Sequence, residues 1–155
     1  MELWELVARE RIRDTIARYN WSGDAGRLEE LVEVFTPDGT LEVRGGNTHH
    51  GRDGILSFLG ATVSGADQAR AAAAGPVGKR VVRHVVSNTR FLELDRDHAL
   101  VGSYYTVVTE VGLDHYGRYR DRFVPVGDEW LIEHRLVATD WRSPDSAMAS
   151  ADAVT

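Results

Sequence analysis

Cysteine is absent from all 155 residues, which excludes a disulfide framework, a thiolate nucleophile and a cysteine-ligated metal. Basic charge is in deficit: 18 Lys and Arg face 24 Asp and Glu, for a formal net charge of −6. The arginines are scattered, usually beside acids, so the clustered basic surface that a nucleic-acid backbone requires is missing. No run of about 18 apolar residues is present to span a bilayer. The opening Met1-Glu2-Leu3-Trp4-Glu5 has neither the basic region nor the apolar core of a signal peptide. There is also no nucleophile elbow, phosphate loop or dinucleotide fingerprint, and Gly45-Gly46 is too little to make one. These absences leave a cytoplasmic protein with no cofactor, no nucleic-acid partner and no membrane partner expected.

What is present is ordinary for a globular chain, with 43% hydrophobic and 27% charged residues. The length suits one domain, expected over residues 1–142, with a flexible tail of Ser, Ala and Asp from 143 to 155. Residues 2–21 read as an amphipathic helix whose stripe is Leu3, Leu6, Val7, Ile12, Ile16 and Tyr19. Ser22-Gly23-Asp24 breaks it, and a second short helix follows over about 25–35. Thr36-Pro37-Asp38-Gly39 then reads as a turn. Short strands at 40–44 and 48–50 precede a third helix over about 52–63, with Ile55, Leu56, Phe58 and Leu59 as its buried side. Residues 64–79 either extend that helix or form a flap.

Four long strands follow at 80–94, 98–111, about 116–126 and 129–140, joined by connections so short that neighbours must be antiparallel. Three N-terminal helices followed by a long meander give an α+β domain, with helices on one face of a strongly curved, mainly antiparallel sheet.

The first long strand draws attention. With period two, Val82, His84, Val86 and Asn88 share one face, and Val81, Arg83, Val85, Ser87 and Thr89 the other. Both faces mix apolar and polar groups, as expected of a strand lining a partly polar pocket. His84 is its most chemically capable residue, able to move a proton near neutral pH, although a core histidine satisfied by backbone reads the same way. Asn88 can orient a substrate carbonyl or satisfy a loop. Tyr19 and Asp24 lie where the first helix ends, and Asp24 serves equally well as a helix cap. Trp21 is either pocket or core.

His49 and His50 are adjacent on a strand, so they point to opposite faces and make no metal pair. Tyr104 and Tyr105 likewise split, sending one into the cavity. Tyr119, Asp121 and Phe123 alternate with Arg118, Arg120 and Arg122, which places Asp121 among aromatics, free or paired with Arg135. In the last strand Trp130, Ile132, His134 and Leu136 oppose Leu131, Glu133, Arg135 and Val137.

Tyr19-Asn-Trp-Ser-Gly-Asp24, Leu31-Val-Glu-Val-Phe-Thr-Pro-Asp38-Gly39 and Gly51-Arg-Asp-Gly-Ile55 resemble SnoaL-like proteins of the nuclear-transport-factor-two-like superfamily. So do Arg83-His84-Val-Val-Ser-Asn88, Gly117-Arg-Tyr-Arg-Asp121 and Asp128-Glu-Trp130 with Arg135. The resemblance runs from about Val7 to Trp141 and implies a cone-shaped α+β barrel with a mixed sheet and a pocket between helices and sheet. Relatives of that fold include scytalone dehydratase, ketosteroid isomerase, polyketide cyclases and the small subunits of ring-hydroxylating dioxygenases. Fold therefore leaves activity open.

The dehydratase branch implies Tyr19, Asp24 and His84 as a catalytic set. Where that branch has a second histidine on later strands, this chain offers Tyr104, Tyr105 and Tyr119. The expectation is a cofactor-free lyase or isomerase on a small apolar or aromatic carbonyl compound, polyketide-like or steroid-like. Asn88, Tyr104, Tyr105, Tyr119, Trp21 and Phe58 would contact the substrate. A homo-oligomer, dimer or trimer, is expected as in relatives. The alternative is a non-catalytic binding or structural subunit. The two separate on whether Asp24 and His84 meet around an open cavity.

Overall fold

The computed structural model describes residues 1–72, 81–146 and 148, without the side chains of 70–72. The elements are α1 (Leu3–Asp24), α2 (Leu28–Val32), β1 (Phe35–Val43), β2 (Thr48–His50), α3 (Gly51–Ala72), β3 (Val82–Leu94), β4 (Ala99–Thr109), β5 (Gly112–Val126) and β6 (Glu129–Arg142). They form the expected α+β fold, three helices on one sheet of order β2-β1-β6-β5-β4-β3. All neighbours are antiparallel except β1 and β6, which run parallel and make the sheet mixed.

α1 buries Ala8, Ile12, Thr15, Ile16 and Tyr19, close to the i, i+4 spacing of one helix face. The Thr15 hydroxyl donates to the Trp130 carbonyl at 2.7 Å, tying the helix to β6. Leu3, Leu6 and Val7, expected in the stripe, are exposed, because the buried face is set by Ala8 and Thr15 one register away. Ser22-Gly23-Asp24 does not break α1. Gly23 instead makes room for α2, since a Cβ there would come within 2.9 Å of Leu31 Cδ1.

Thr36-Pro37-Asp38-Gly39 is also no turn. It lies inside β1 at a register shift against β6 between Phe35 and Thr40, where a proline costs no regular ladder bond. α3 continues through 64–72, and the remainder of the 64–79 segment lies outside the described residues.

The floor of the fold is an ion pair with no solvent contact. Asp121 and Arg135 are each 0% exposed. Arg135 Nε donates to Asp121 Oδ1 at 2.8 Å, and Nη2 donates to Oδ2 at 2.7 Å. The guanidinium lies between the rings of Tyr19 and Tyr119, 4.1 Å from each centroid. Burial opposes ionisation of Arg135, and Asp121 overrides it, so the guanidinium stays charged.

The β5 alternation holds as read, with Tyr119, Asp121 and Phe123 buried and Arg118, Arg120 and Arg122 exposed. The β6 alternation does not. Ile132 and Arg135 both face inward, because Phe123 pairs with Ile132 while Arg122 pairs with His134, leaving Glu133 as an extra residue that flips the phase.

Removing one charge of this pair leaves the other buried and unpaired. Asp121→Asn is expected to lower unfolding stability by about 3–5 kcal/mol, and the double variant Asp121→Leu, Arg135→Met to recover most of the loss. Urea unfolding of the three proteins checks both; a loss under about 1 kcal/mol for Asp121→Asn contradicts the account.

Candidate active site

Between the helices and the concave face of the sheet lies a cavity of about 770 Å³. Its wall is mostly aliphatic and aromatic, with polar groups gathered where the end of α1 meets β3, β4 and β5.

Asp24 occupies the last turn of α1. Its Oδ2 accepts the backbone N–H of His84 at 2.8 Å, and its Oδ1 accepts from His84 Nδ1 at 2.5 Å. These bonds join residues 60 apart in sequence and put the ring proton on Nδ1. In the neutral ring Nε2 is then the nitrogen without a proton, and the ring lines the cavity.

A second imidazole–carboxylate pair lies nearby. His115 Nδ1 donates to Asp114 Oδ1 at 2.6 Å, and both residues are buried. Adjacent strand residues normally face opposite ways. Here β4 pairs Val107 with His115 but Val108 with Leu113, so Asp114 is a bulge residue that joins its neighbour on the inner side. The Ser146 hydroxyl also donates to Asp114 Oδ1, at 2.6 Å.

Burial pushes the His115 proton affinity below the ordinary histidine value. The Asp114 carboxylate opposes that shift, and a positive charge on His84, when that ring is protonated, or on Arg142 adds to it. His115 is therefore neutral at pH 7.

Tyr105 stands between them, its ring centroid 6.5 Å from that of His84 and 5.8 Å from that of His115. Burial pushes its phenol up to about 12, so it stays protonated and can donate. Its hydroxyl lies 3.0 Å from Thr139 Oγ1, and its ring stacks on Tyr119 at 4.5 Å. Burial also raises Tyr119 and Tyr19. Farther along the wall His49 stacks on Phe58 at 3.9 Å.

Of the residues nominated from sequence, Tyr19, Asp24, His84, Tyr105, Tyr119 and Phe58 line this cavity. Trp21, Tyr104 and Asn88 do not. Trp21 is 75% exposed, roughly 200° around α1 from Tyr19. Tyr104 is 54% exposed, on the outer face opposite Tyr105. Asn88 is exposed with φ of 52°, at a register shift between Ser87 and Arg90 that takes it off the His84 face.

His115, Thr139, Arg142 and Met148 also line the cavity and were not nominated. Asp114 and His115 fall in the connection between the strands expected at 98–111 and about 116–126, and only the bulge turns both inward. Residues 143–146 and Met148, read as part of a flexible tail, pack back on the barrel. The Ser143 N–H donates to the Asp114 carbonyl at 2.7 Å, and Met148 joins Val82, Tyr105 and Val107.

The depressed His115 proton affinity has a signed consequence. Above pH 6.5 the ring is neutral both folded and unfolded. Below it the unfolded ring takes a proton that the folded ring refuses, so stability falls until the folded value is reached. His115→Gln should flatten this part of the acid-side loss as the pH falls below 6.5, as measured by urea unfolding. The ring resonance of His115 should titrate below 6.5 by NMR; a midpoint above that value contradicts the assignment.

The sequence matches the SnoaL-like domain family over residues 4–136. Among solved structures it is similar to a proposed scytalone dehydratase from Novosphingobium aromaticivorans, at 22% identity over 90% of this chain and 88% of that one, TM-score 0.73. A nuclear-transport-factor-two-like protein with a cystatin-like fold from the same species is 25% identical over 93% of this chain and 89% of that one, TM-score 0.70. A protein from Catenulispora acidiphila solved in complex with S-DNPA is 22% identical over 85% of this chain and 92% of that one, TM-score 0.67. Among curated proteins none matches. This chain belongs to the SnoaL-like family.

Proposed function

We propose that the protein is a cofactor-independent acid–base enzyme, a lyase or isomerase acting on a small, largely apolar carbonyl compound of polyketide-like or steroid-like type. The observation that carries this reading is the Asp24–His84 pair on the wall of an otherwise apolar cavity. A cavity of this size accommodates a bicyclic or tricyclic ligand. The relative from Catenulispora acidiphila, solved in complex with S-DNPA, supports binding of a small molecule within this fold.

In the proposed chemistry His84 Nε2 removes a proton from the carbon next to the substrate carbonyl. Asp24 stabilises the imidazolium that forms and holds the ring in the required tautomer. The enolate oxygen accepts from a neutral phenol. Tyr105, between the two imidazoles, is better placed for this than the outward-facing Tyr104, and Tyr19 lies farther along the same wall.

In a dehydration the enolate expels the β-hydroxyl group, which takes the proton from His84 Nε2 and leaves as water. In an isomerisation the same proton returns to the γ-carbon. Either cycle ends with His84 neutral and needs no external oxidant or reductant. A preorganised donor to the enolate oxygen contributes about 3–4 kcal/mol of barrier lowering.

Proton abstraction can be read without the natural substrate. In D₂O the protein should accelerate exchange of the α-protons of 2-tetralone and related cyclic aryl ketones, followed by proton NMR. His84→Ala should lower the exchange rate by about 100-fold or more while leaving the urea unfolding curve nearly unchanged, and Asp24→Asn should also lower it by releasing the tautomer. Wild-type exchange rates in His84→Ala, or no acceleration of any ketone by the native protein, would sink the proposal and leave a binding module.

A further inference from the structure

The cavity wall contains one permanent cation among the described residues, Arg142 at the end of β6. Its position follows from the sheet register. His115 on β5 is the direct cross-strand partner of Arg142, and directly opposed residues present their side chains on the same face. The guanidinium is close enough to His115 for its charge to disfavour protonation of that ring.

Its hydrogen bonding is incomplete. A guanidinium carries five N–H donors. The Nη2 group donates to the Pro144 carbonyl at 3.2 Å, and the buried Nε has no partner among the described residues. The carboxylates at this end of the cavity are already engaged, Asp24 by His84 and Asp114 by both His115 and Ser146. Among the described residues the other groups lining this cavity, including Tyr105, Val137, Thr139 and Met148, carry no negative charge. A charged donor fork against an apolar cavity, with no acid of its own among the described residues, is complementary to an anion that arrives with the ligand.

The charge count narrows the class. One guanidinium balances one negative charge, and a chain of net charge −6 repels a polyanion. The fork matches a carboxylate, and the Tyr105 ring on the same wall, which stacks on Tyr119 by one face, favours an apolar aromatic body.

We propose that Arg142 binds the carboxylate of a planar, apolar organic acid, which makes the cavity one for monoanionic rather than neutral ligands. This rests on the reading of the cavity as the reaction site and adds to it that the substrate carries a carboxylate. Bound there, the acid group lies at the His115 end of the wall, and the body of the ligand extends past Tyr105 toward His84.

The probes are 2-naphthoate and 2-naphthamide, nearly the same shape and differing in charge, titrated calorimetrically at pH 7.5 into the native protein and into Arg142→Gln. The native protein should bind the naphthoate at least about tenfold more tightly than the amide. Arg142→Gln should remove that preference while binding the amide within about twofold of the native protein, which also shows that its cavity is intact.

Equal binding of both probes by the native protein overturns the proposal, as does a preference that survives in Arg142→Gln or binding of neither probe. The native protein alone provides the first comparison, so the test does not depend on the variant folding. Because the measurement needs no turnover, it fails or succeeds separately from the ketone exchange assay. A lost charge preference with intact exchange removes the carboxylate and keeps the acid–base reading.

Discussion

The Asp24 carboxylate is the joint on which the site depends. It closes the last turn of α1 against β3, and β3 is the end strand of the sheet, its ladder among the described residues formed with β4. One oxygen takes the backbone N–H of His84 and the other takes the ring, so position and tautomer are set by the same group. Without that double bond the edge strand would still be held by its ladder to β4, but the imidazole would be free to rotate and to exchange which nitrogen is basic. Beneath it the Asp121–Arg135 pair fixes the Tyr19 and Tyr119 rings from behind, so the aromatic wall is braced from inside the core.

Irregularities in the ladders produce most of the polar wall. A regular β5 would bury either Asp114 or His115; the bulge opposite Val107 and Val108 buries both and forms the second imidazole–carboxylate pair. A further shift between Tyr116 and Gly117 brings Arg142 opposite His115 and Thr139 opposite Gly117. The chain passes so close to β6 at Gly117 that a Cβ would lie 2.0 Å from the Ala138 carbonyl oxygen, so only glycine fits there. The extra residue at Glu133 turns Arg135 into the core. Each bulge re-aims a functional or structural side chain that strict alternation would direct elsewhere.

This explains which parts of the molecule were legible in the sequence. Where a ladder is regular, period two sufficed: Tyr119, Asp121 and Phe123 inward and three arginines outward, and His84 on the same side as Val82 and Val86. Where a bulge intervenes, the pattern misled, as for Asn88, for Ile132 with Arg135, and for Asp114 with His115. Two adjacent tyrosines gave no parity, so Tyr104 and Tyr105 were separated only by the register of β4 against its neighbours. The contact between Asp24 and His84 spans 60 residues and came from family resemblance, because a helix cap explains the aspartate equally well by local rules. Residues 143–146 and Met148 carry no periodicity, and what holds them is a hydroxyl and a backbone amide meeting Asp114, for which composition has no signature.

Two imidazoles around one apolar cavity, each with its Nδ1 turned to a carboxylate, give the site an electrostatic logic of its own. The buried ring of His115 resists a proton and the phenol of Tyr105 keeps one, so in the proposed chemistry the charge that develops during proton transfer falls to His84, the ring tied to the helix. The central claim is therefore about one nitrogen. Long-range proton–nitrogen NMR of the histidine rings at pH 7 tests it directly. The account predicts that His84 carries its proton on Nδ1, with Nε2 bare, and that Asp24→Asn abolishes this preference. A proton fixed on Nε2, or the same tautomer balance with and without the carboxylate, would contradict it.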